Sequence, residues 1–124
     1  MSEIKIMHAI QLAMSRIGTR VFRNNSGRAK DVRSGNWIQY GVASPGGSDL
    51  IGWTPIEVTE QMVGKTVALF TAVEVKTLKG KTTEQQENFI SQVNNSGGIG
   101  FVSVSEADAT AKINGHKNRL QKFK

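Results

Sequence analysis

No cysteine occurs in the chain, and that one absence removes thiolate nucleophiles, zinc–thiolate centres and disulfides together. Proline is almost missing: Pro45 and Pro55 stand alone, so there is no proline-rich linker, and no internal repeat or low-complexity tract divides the chain. No apolar stretch approaches the roughly 20 residues of a membrane-crossing helix. Near the start, Ser2, Glu3, Lys5, His8, Gln11, Ser15 and Arg16 interrupt every apolar run, unlike a secretory leader. A chain with no membrane contact, resident in the cytoplasm, is the expectation. The two histidines, His8 and His116, lie far apart and show no metal-ligand spacing. Ser26 and Ser48 have no histidine with which to form a nucleophilic triad. Gly46-Gly47-Ser48-Asp49 lacks the lysine of a nucleotide-cradling loop.

What is present is basic. Sixteen Lys and Arg stand against ten acids in 124 residues, a net charge of +6, which favours a polyanionic partner and nucleic acid first. The length suits one domain with its own core. We place that domain over residues 1–113 and a basic tail over 114–124, where Lys117, Arg119, Lys122 and Lys124 meet no acid.

Ile6, Ile10, Ala13, Met14 and Ile17 recur at helical spacing behind a capping Ser2, predicting a helix over 3–17. A strand is expected over 19–23, then turn chemistry at Asn24-Asn25-Ser26-Gly27 and a basic loop over 28–36. Short strands follow at 37–42 and 49–53. Residues 66–76 form the longest apolar run and read as a central strand, buried on both faces in its middle. Thr82 or Thr83 can cap a helix running to about Asn95; a strand over 99–104 and a helix over 105–113 complete the chain. The fold class expected is α/β, with a mixed central sheet flanked by helices on both faces.

The acids sit where chemistry needs them. Asp49 opens one strand, and Glu74 and Lys76, two positions apart near the end of another, share a face. If the two strands pair, Asp49 stands beside Glu74. Two carboxylates at the end of an apolar strand repel, and one takes up a proton unless a cation intervenes. A divalent ion resolves this, and Mg²⁺ suits it: hard, oxygen-seeking, bound through one or two carboxylates while keeping waters for a phosphate. The backbone carbonyl of Val75 offers a third oxygen. Lys76 can then orient a water and stabilise charge building on phosphorus. Alone, Glu-x-Lys on a strand is most often a solvated edge pair, and Gly-x-x-Asp an ordinary turn; their combination, followed by a helix carrying Gln86, is more specific.

Glu3, Arg23-Asn24-Asn25-Ser26-Gly27, Pro45-Gly46-Gly47-Ser48-Asp49-Leu50-Ile51-Gly52, Glu74-Val75-Lys76 and the helix with Gln86 and Phe89 together resemble the VRR-NUC family of the PD-(D/E)XK nuclease superfamily, in its stand-alone, phage-type form. The resemblance covers residues 2–111. It implies a restriction-endonuclease-like core with Asp49, Glu74 and Lys76 as catalytic centre, Gln86 assisting, and Glu3 directed at the metal, directly or through water. Gln85 is the rival of Gln86, which has the better spacing to Phe89. The resemblance further implies an Mg²⁺-dependent endonuclease (Mn²⁺ substituting) selective for branched DNA, of Holliday-junction-resolvase type, acting as a homodimer in a bacterial cytoplasm if phage-encoded. A helicase or replication protein is a possible partner. The competing expectation is a non-catalytic or partner-dependent DNA-binding module of the same fold.

Arg23, Asn24, Asn25, Ser26 and Arg28, with Ser48, Lys79 and Lys81, are the candidate DNA contacts, although a basic loop is often simply solvated. Trp37 and Tyr40 can stack on a base, with packing the commoner use of such residues. Trp37, Trp53 and Phe70 are candidates for a dimer interface.

Overall fold

Ser2 accepts the Lys5 N–H at 3.3 Å and starts α1, Glu3–Arg16, as its capping position and apolar spacing predict. The computed structural model describes residues 2–121. The chain divides into two units, Met1–Glu57 and Val58–Lys124.

In the first unit α1 packs on β1, Arg20–Arg23. That strand pairs antiparallel with β4, Leu50–Trp53, in the register Arg20↔Trp53 and Phe22↔Ile51. Met7 of α1 is buried, and the rings of Phe22 and Trp53 meet at 5.4 Å. Gly52 is required where it stands: a Cβ there would collide with the carbonyl oxygen of Arg20 across the ladder.

Of the basic stretch expected as a loop over 28–36, residues 31–36 are a loop, whereas 28–30 belong to a strand of a hairpin. β2, Gly27–Lys30, pairs antiparallel with β3, Trp37–Tyr40. Asp31 braces the connecting turn, accepting from the Arg33 N–H and the Ser34 hydroxyl at 3.0 and 2.9 Å. Arg, Ala and Lys carry little strand signal of their own; pairing to Trp37-Ile38-Gln39-Tyr40 supplies it.

In the second unit residues 58–70 hold only a 3₁₀ turn, Glu60–Met62. The strand expected over 66–76 is confined to β5, Thr71–Val75. It is not buried on both faces: Ala72 and Glu74 are half-buried, and Val73 and Val75 exposed. The strand with the buried middle is β6, Ile99–Ser103, parallel to β5 with Glu74 opposite Val102. The crossover helix α2, Glu84–Asn95, contributes the fully buried Val93.

The last helix, α3, Glu106–Gln121, extends well beyond the expected 113, so residues 114–121 of the supposed tail are helical. Lys122 and Lys124 lie outside the described residues. Lys112 and Asp108 tie α3 to β6: the Lys112 ammonium donates to the Val102 carbonyl at 2.7 Å, and the Ser103 hydroxyl to the Asp108 carboxylate at 2.9 Å.

The fold is thus mixed α/β with short sheets. The single mixed central sheet is not found among the described residues; they form three two-stranded sheets, two antiparallel and one parallel. Among the described residues β4, which follows Asp49, is paired with β1, and β5, which carries Glu74, with β6. None of the described helices is long and apolar enough to cross a membrane.

Candidate active site

Alternation along β5 puts Ala72, Glu74 and Lys76 on the half-buried side, which α2 covers. The side-chain amide of Gln86 donates to Glu74 Oε1 at 2.7 Å. The Lys76 ammonium lies 3.5 Å from the same oxygen. Glu74 and Gln86 line one cavity of about 370 Å³, together with Ala72, Phe89 and Ile90.

Gln86 is held from its other end. Its amide oxygen accepts the Thr83 N–H at 2.9 Å, while the Thr83 hydroxyl accepts the Gln86 N–H at 3.1 Å, a reciprocal capping box. Because a backbone N–H can only donate, the amide oxygen must face Thr83, and the NH₂ must face Glu74. Gln85 makes no such contact to Glu74, although it lines the same cavity. Of the two caps that the sequence offers, Thr82 and Thr83, it is Thr83 that starts the helix and orients Gln86, and the Thr-x-x-Gln spacing is the signal that identifies it.

Most of the other candidates lie in the first unit. Glu3 and Asp49 line a cleft of about 250 Å³ with Arg23, Asn24, Asn25 and Ser26. Both acids are exposed, and so are Arg23, Asn25 and Ser26.

Asn24 is different: it is buried. Its amide NH₂ donates to the carbonyls of Val42 and Ser48 at 2.9 and 3.0 Å, and its amide oxygen accepts the Val42 N–H at 2.8 Å. Its backbone N–H donates to the Asp49 carbonyl at 2.8 Å. Both amide protons of Asn24, one of the expected phosphate contacts, are thus engaged by backbone carbonyls. Asn24 pins the turn that contains the cis Ser44–Pro45 bond and carries Asp49.

Ser48 is exposed beside Asp49, and Arg28 lies on β2 with its guanidinium 5.1 Å over the Trp37 ring. Lys79 and Lys81 are exposed in the connection from β5 to α2. Trp37 is exposed as anticipated, whereas Trp53 and Phe70 are half-buried.

Among the described residues no three acidic or histidine side chains gather closely enough to hold a metal ion by themselves. The donor chemistry nevertheless fits magnesium. Every candidate is a hard oxygen, and this ion commonly takes only one or two carboxylates, filling its shell with water and substrate phosphate. Asp49 and Glu3 line an open cleft, and Glu74 is oriented by the Gln86 amide at Oε1.

A basic α/β chain with a carboxylate–lysine pair at a strand end is compatible with a nuclease-type, DNA-directed protein. The family model described as the VRR-NUC domain matches residues 19–106, and the chain belongs to that family of nuclease domains. The match runs through both units and takes in Asp49, Glu74, Lys76 and Gln86; it is shorter than the anticipated 2–111, leaving Glu3 outside. No curated protein and no solved structure matches the chain.

Proposed function

We propose that the chain is a magnesium-dependent, structure-selective DNA endonuclease of the PD-(D/E)XK type, with Asp49, Glu74 and Lys76 as its catalytic residues. The observation that carries this reading is the Glu74 carboxylate, fixed through Oε1 by Gln86 at 2.7 Å and by Lys76 at 3.5 Å.

Asp49, Glu74 and the Val75 carbonyl are the metal ligands of this reading, with Glu3 acting directly or through water. Magnesium, or manganese in its place, would supply Lewis-acid polarisation of the phosphate and activation of a water. Gln86 keeps Glu74 aimed, its side-chain amide donating to Oε1. Lys76 orients the attacking water and offsets charge gathering on the non-bridging phosphate oxygens. Arg23, Asn25, Ser26, Arg28, Ser48, Lys79 and Lys81 contact the DNA backbone.

The proposed substrate is branched DNA, with the four-way junction as its best-fitting form. Two copies related by a two-fold axis would present paired sites to a substrate of similar symmetry. The setting is the cytoplasm, that of a bacterial host if the chain is phage-encoded, with a helicase or replication protein as a possible partner.

The test compares wild type with Asp49→Ala and Lys76→Ala on labelled four-way junction, flap and plain duplex, in Mg²⁺ or in EDTA. Paired nicks in the junction that need Mg²⁺ and vanish in both variants are expected. Tight junction binding with no cutting of any substrate would replace the enzyme by a DNA-binding or partner-dependent module.

A further inference from the structure

The β2–β3 hairpin has two chemically different faces. Residues directly opposite on an antiparallel ribbon project to the same side. The pairs Arg28↔Gln39 and Lys30↔Trp37 therefore share one face, and Gly27↔Tyr40 and Ala29↔Ile38 the other. The Arg28 guanidinium stacked 5.1 Å over the Trp37 ring confirms the first set. On the opposite face Tyr40 lies against Gly27, where an added Cβ would come within 2.7 Å of its hydroxyl.

The first face thus carries two cations, one amide and one indole, and Trp37 is 61% exposed. From residue 24 to residue 48 the only acid is Asp31. Its two carboxylate oxygens already accept from Arg33 and Ser34 in the turn.

We propose that this face is a stacking site for an unpaired DNA base, with Trp37 as the platform, Arg28 and Lys30 on the flanking phosphates, and Gln39 on the base edge. The inference deepens the DNA-directed reading above and rests on it. The charge suits a polyanion, and lysine is depleted at the centre of protein interfaces. The indole decides the kind of DNA. Phosphate contacts need no aromatic ring, and a base within a continuous duplex already has both faces stacked on its neighbours. An exposed ring gains most from a base that has lost such a neighbour, at a branch, flap or single strand. Gln39 can both donate to and accept from a base edge. The braced turn holds the ring in place beforehand, which lowers the ordering cost of binding.

Binding is measured with the full chain in EDTA, so that cleavage plays no part. The probes are an oligo-dT strand and a blunt duplex of equal length. Fluorescence anisotropy of the labelled DNA gives affinity. Quenching of the indole, in a Trp53→Phe background that leaves Trp37 as the sole tryptophan, reports stacking.

We expect dT to quench Trp37, and Trp37→Ala to weaken dT binding roughly 5- to 150-fold, the range for one lost base–aromatic stack. Trp37→Phe should restore most of the affinity, which loss of folding would not allow. Blunt-duplex affinity, dominated by phosphate contacts, should change less than about twofold.

Unquenched Trp37, or equal losses on dT and duplex, would overturn the site. So would a Trp37→Ala variant that turns a dimer into a monomer while still binding dT, because the face would then belong to a second copy. Cleavage in Mg²⁺ is scored separately. Trp37-dependent dT binding without any cutting removes the nuclease and keeps this site; cutting without Trp37-dependent binding does the reverse.

Discussion

Gln86 and Glu74, twelve positions apart, are joined by a 2.7 Å hydrogen bond from amide to carboxylate, and the orientation of that amide is set by the cap of α2 rather than by the carboxylate. The first turn of a helix and the geometry of a candidate catalytic acid are one device.

Gln86→Glu separates the two tasks. Glutamate can still accept the Thr83 N–H and complete the capping box, but it brings a second negative charge to Glu74 in place of a donor. Helix content and the urea midpoint should stay near wild type, while Mg²⁺-dependent cleavage falls by about 10- to 100-fold, the equivalent of a lost hydrogen bond to a charged group. Thr83→Ala should do the opposite first, costing about 1 kcal/mol of stability. Full activity in Gln86→Glu would remove Gln86 from the site.

Asn24→Ala should be among the most damaging polar substitutions in the first unit. It strips the Val42 N–H and the Val42 and Ser48 carbonyls of their partner. With about 1–3 kcal/mol for each buried group left unsatisfied, a loss of several kcal/mol in urea denaturation is expected. Asn25→Ala, on an exposed neighbour, should leave stability within about 0.5 kcal/mol and show its effect in DNA affinity. Equal stability of the two variants would contradict the clamp.

Glycine positions supply opposite signs. Gly52→Ala forces a methyl group onto the Arg20 carbonyl and to 2.8 Å from the Val21 Cα, so thermal unfolding should report a loss of about 1–3 kcal/mol or more. Gly115 lies inside α3 with nothing within 4 Å of an added Cβ; Gly115→Ala should gain about 0.5–1 kcal/mol from helix propensity. A tolerated Gly52→Ala would mean that β1 and β4 can separate without cost.

Acid should loosen the attachment of α3. The Lys112 hydrogen bond, then that of Ser103, holds the Asp108 carboxyl below its ordinary 3.8. A carboxyl depressed on folding contributes stability that is present above the unfolded value and is lost as pH falls through the lower folded value. Protection of β6 amides against hydrogen exchange, with rates corrected for the intrinsic pH dependence, should therefore fall below about pH 4, and Asp108→Asn should be weaker at neutral pH but flatter in its pH response. An unchanged acid profile in Asp108→Asn would place the pH sensitivity elsewhere.

Local signals were readable in the one-dimensional chain. Ser2 ahead of Ile6, Ile10 and Met14 announced α1, and the Thr82-Thr83 pair announced the start of α2 without choosing between its two threonines, because caps and helical periodicity act within a few residues. Glu74 and Lys76 were placed on one strand face for the same reason: alternation is a property of a strand alone. The Gly-rich turn before Asp49 and the Glu-Val-Lys triplet were sufficient to point to the family.

Partnerships between distant residues were decided by folding. β4 joins β1, thirty positions away, and no short-range pattern in Leu50-Ile51-Gly52-Trp53 specifies that neighbour. Arg28-Ala29-Lys30 becomes a strand only because Trp37-Ile38-Gln39-Tyr40 lies beside it, and that pairing sorts its cations onto the face of the indole. The apolar run 66–76 promised a doubly buried strand, yet β6 occupies the interior, since burial depends on which helices pack across a strand and not on its composition. Asn24 reads as a polar loop residue until the Val42 and Ser48 backbone groups surround it. The identities of the chemical groups were in the chain from the start; their hydrogen-bond partners, and hence which of them remain available to DNA, depend on contacts that exist only once remote segments meet.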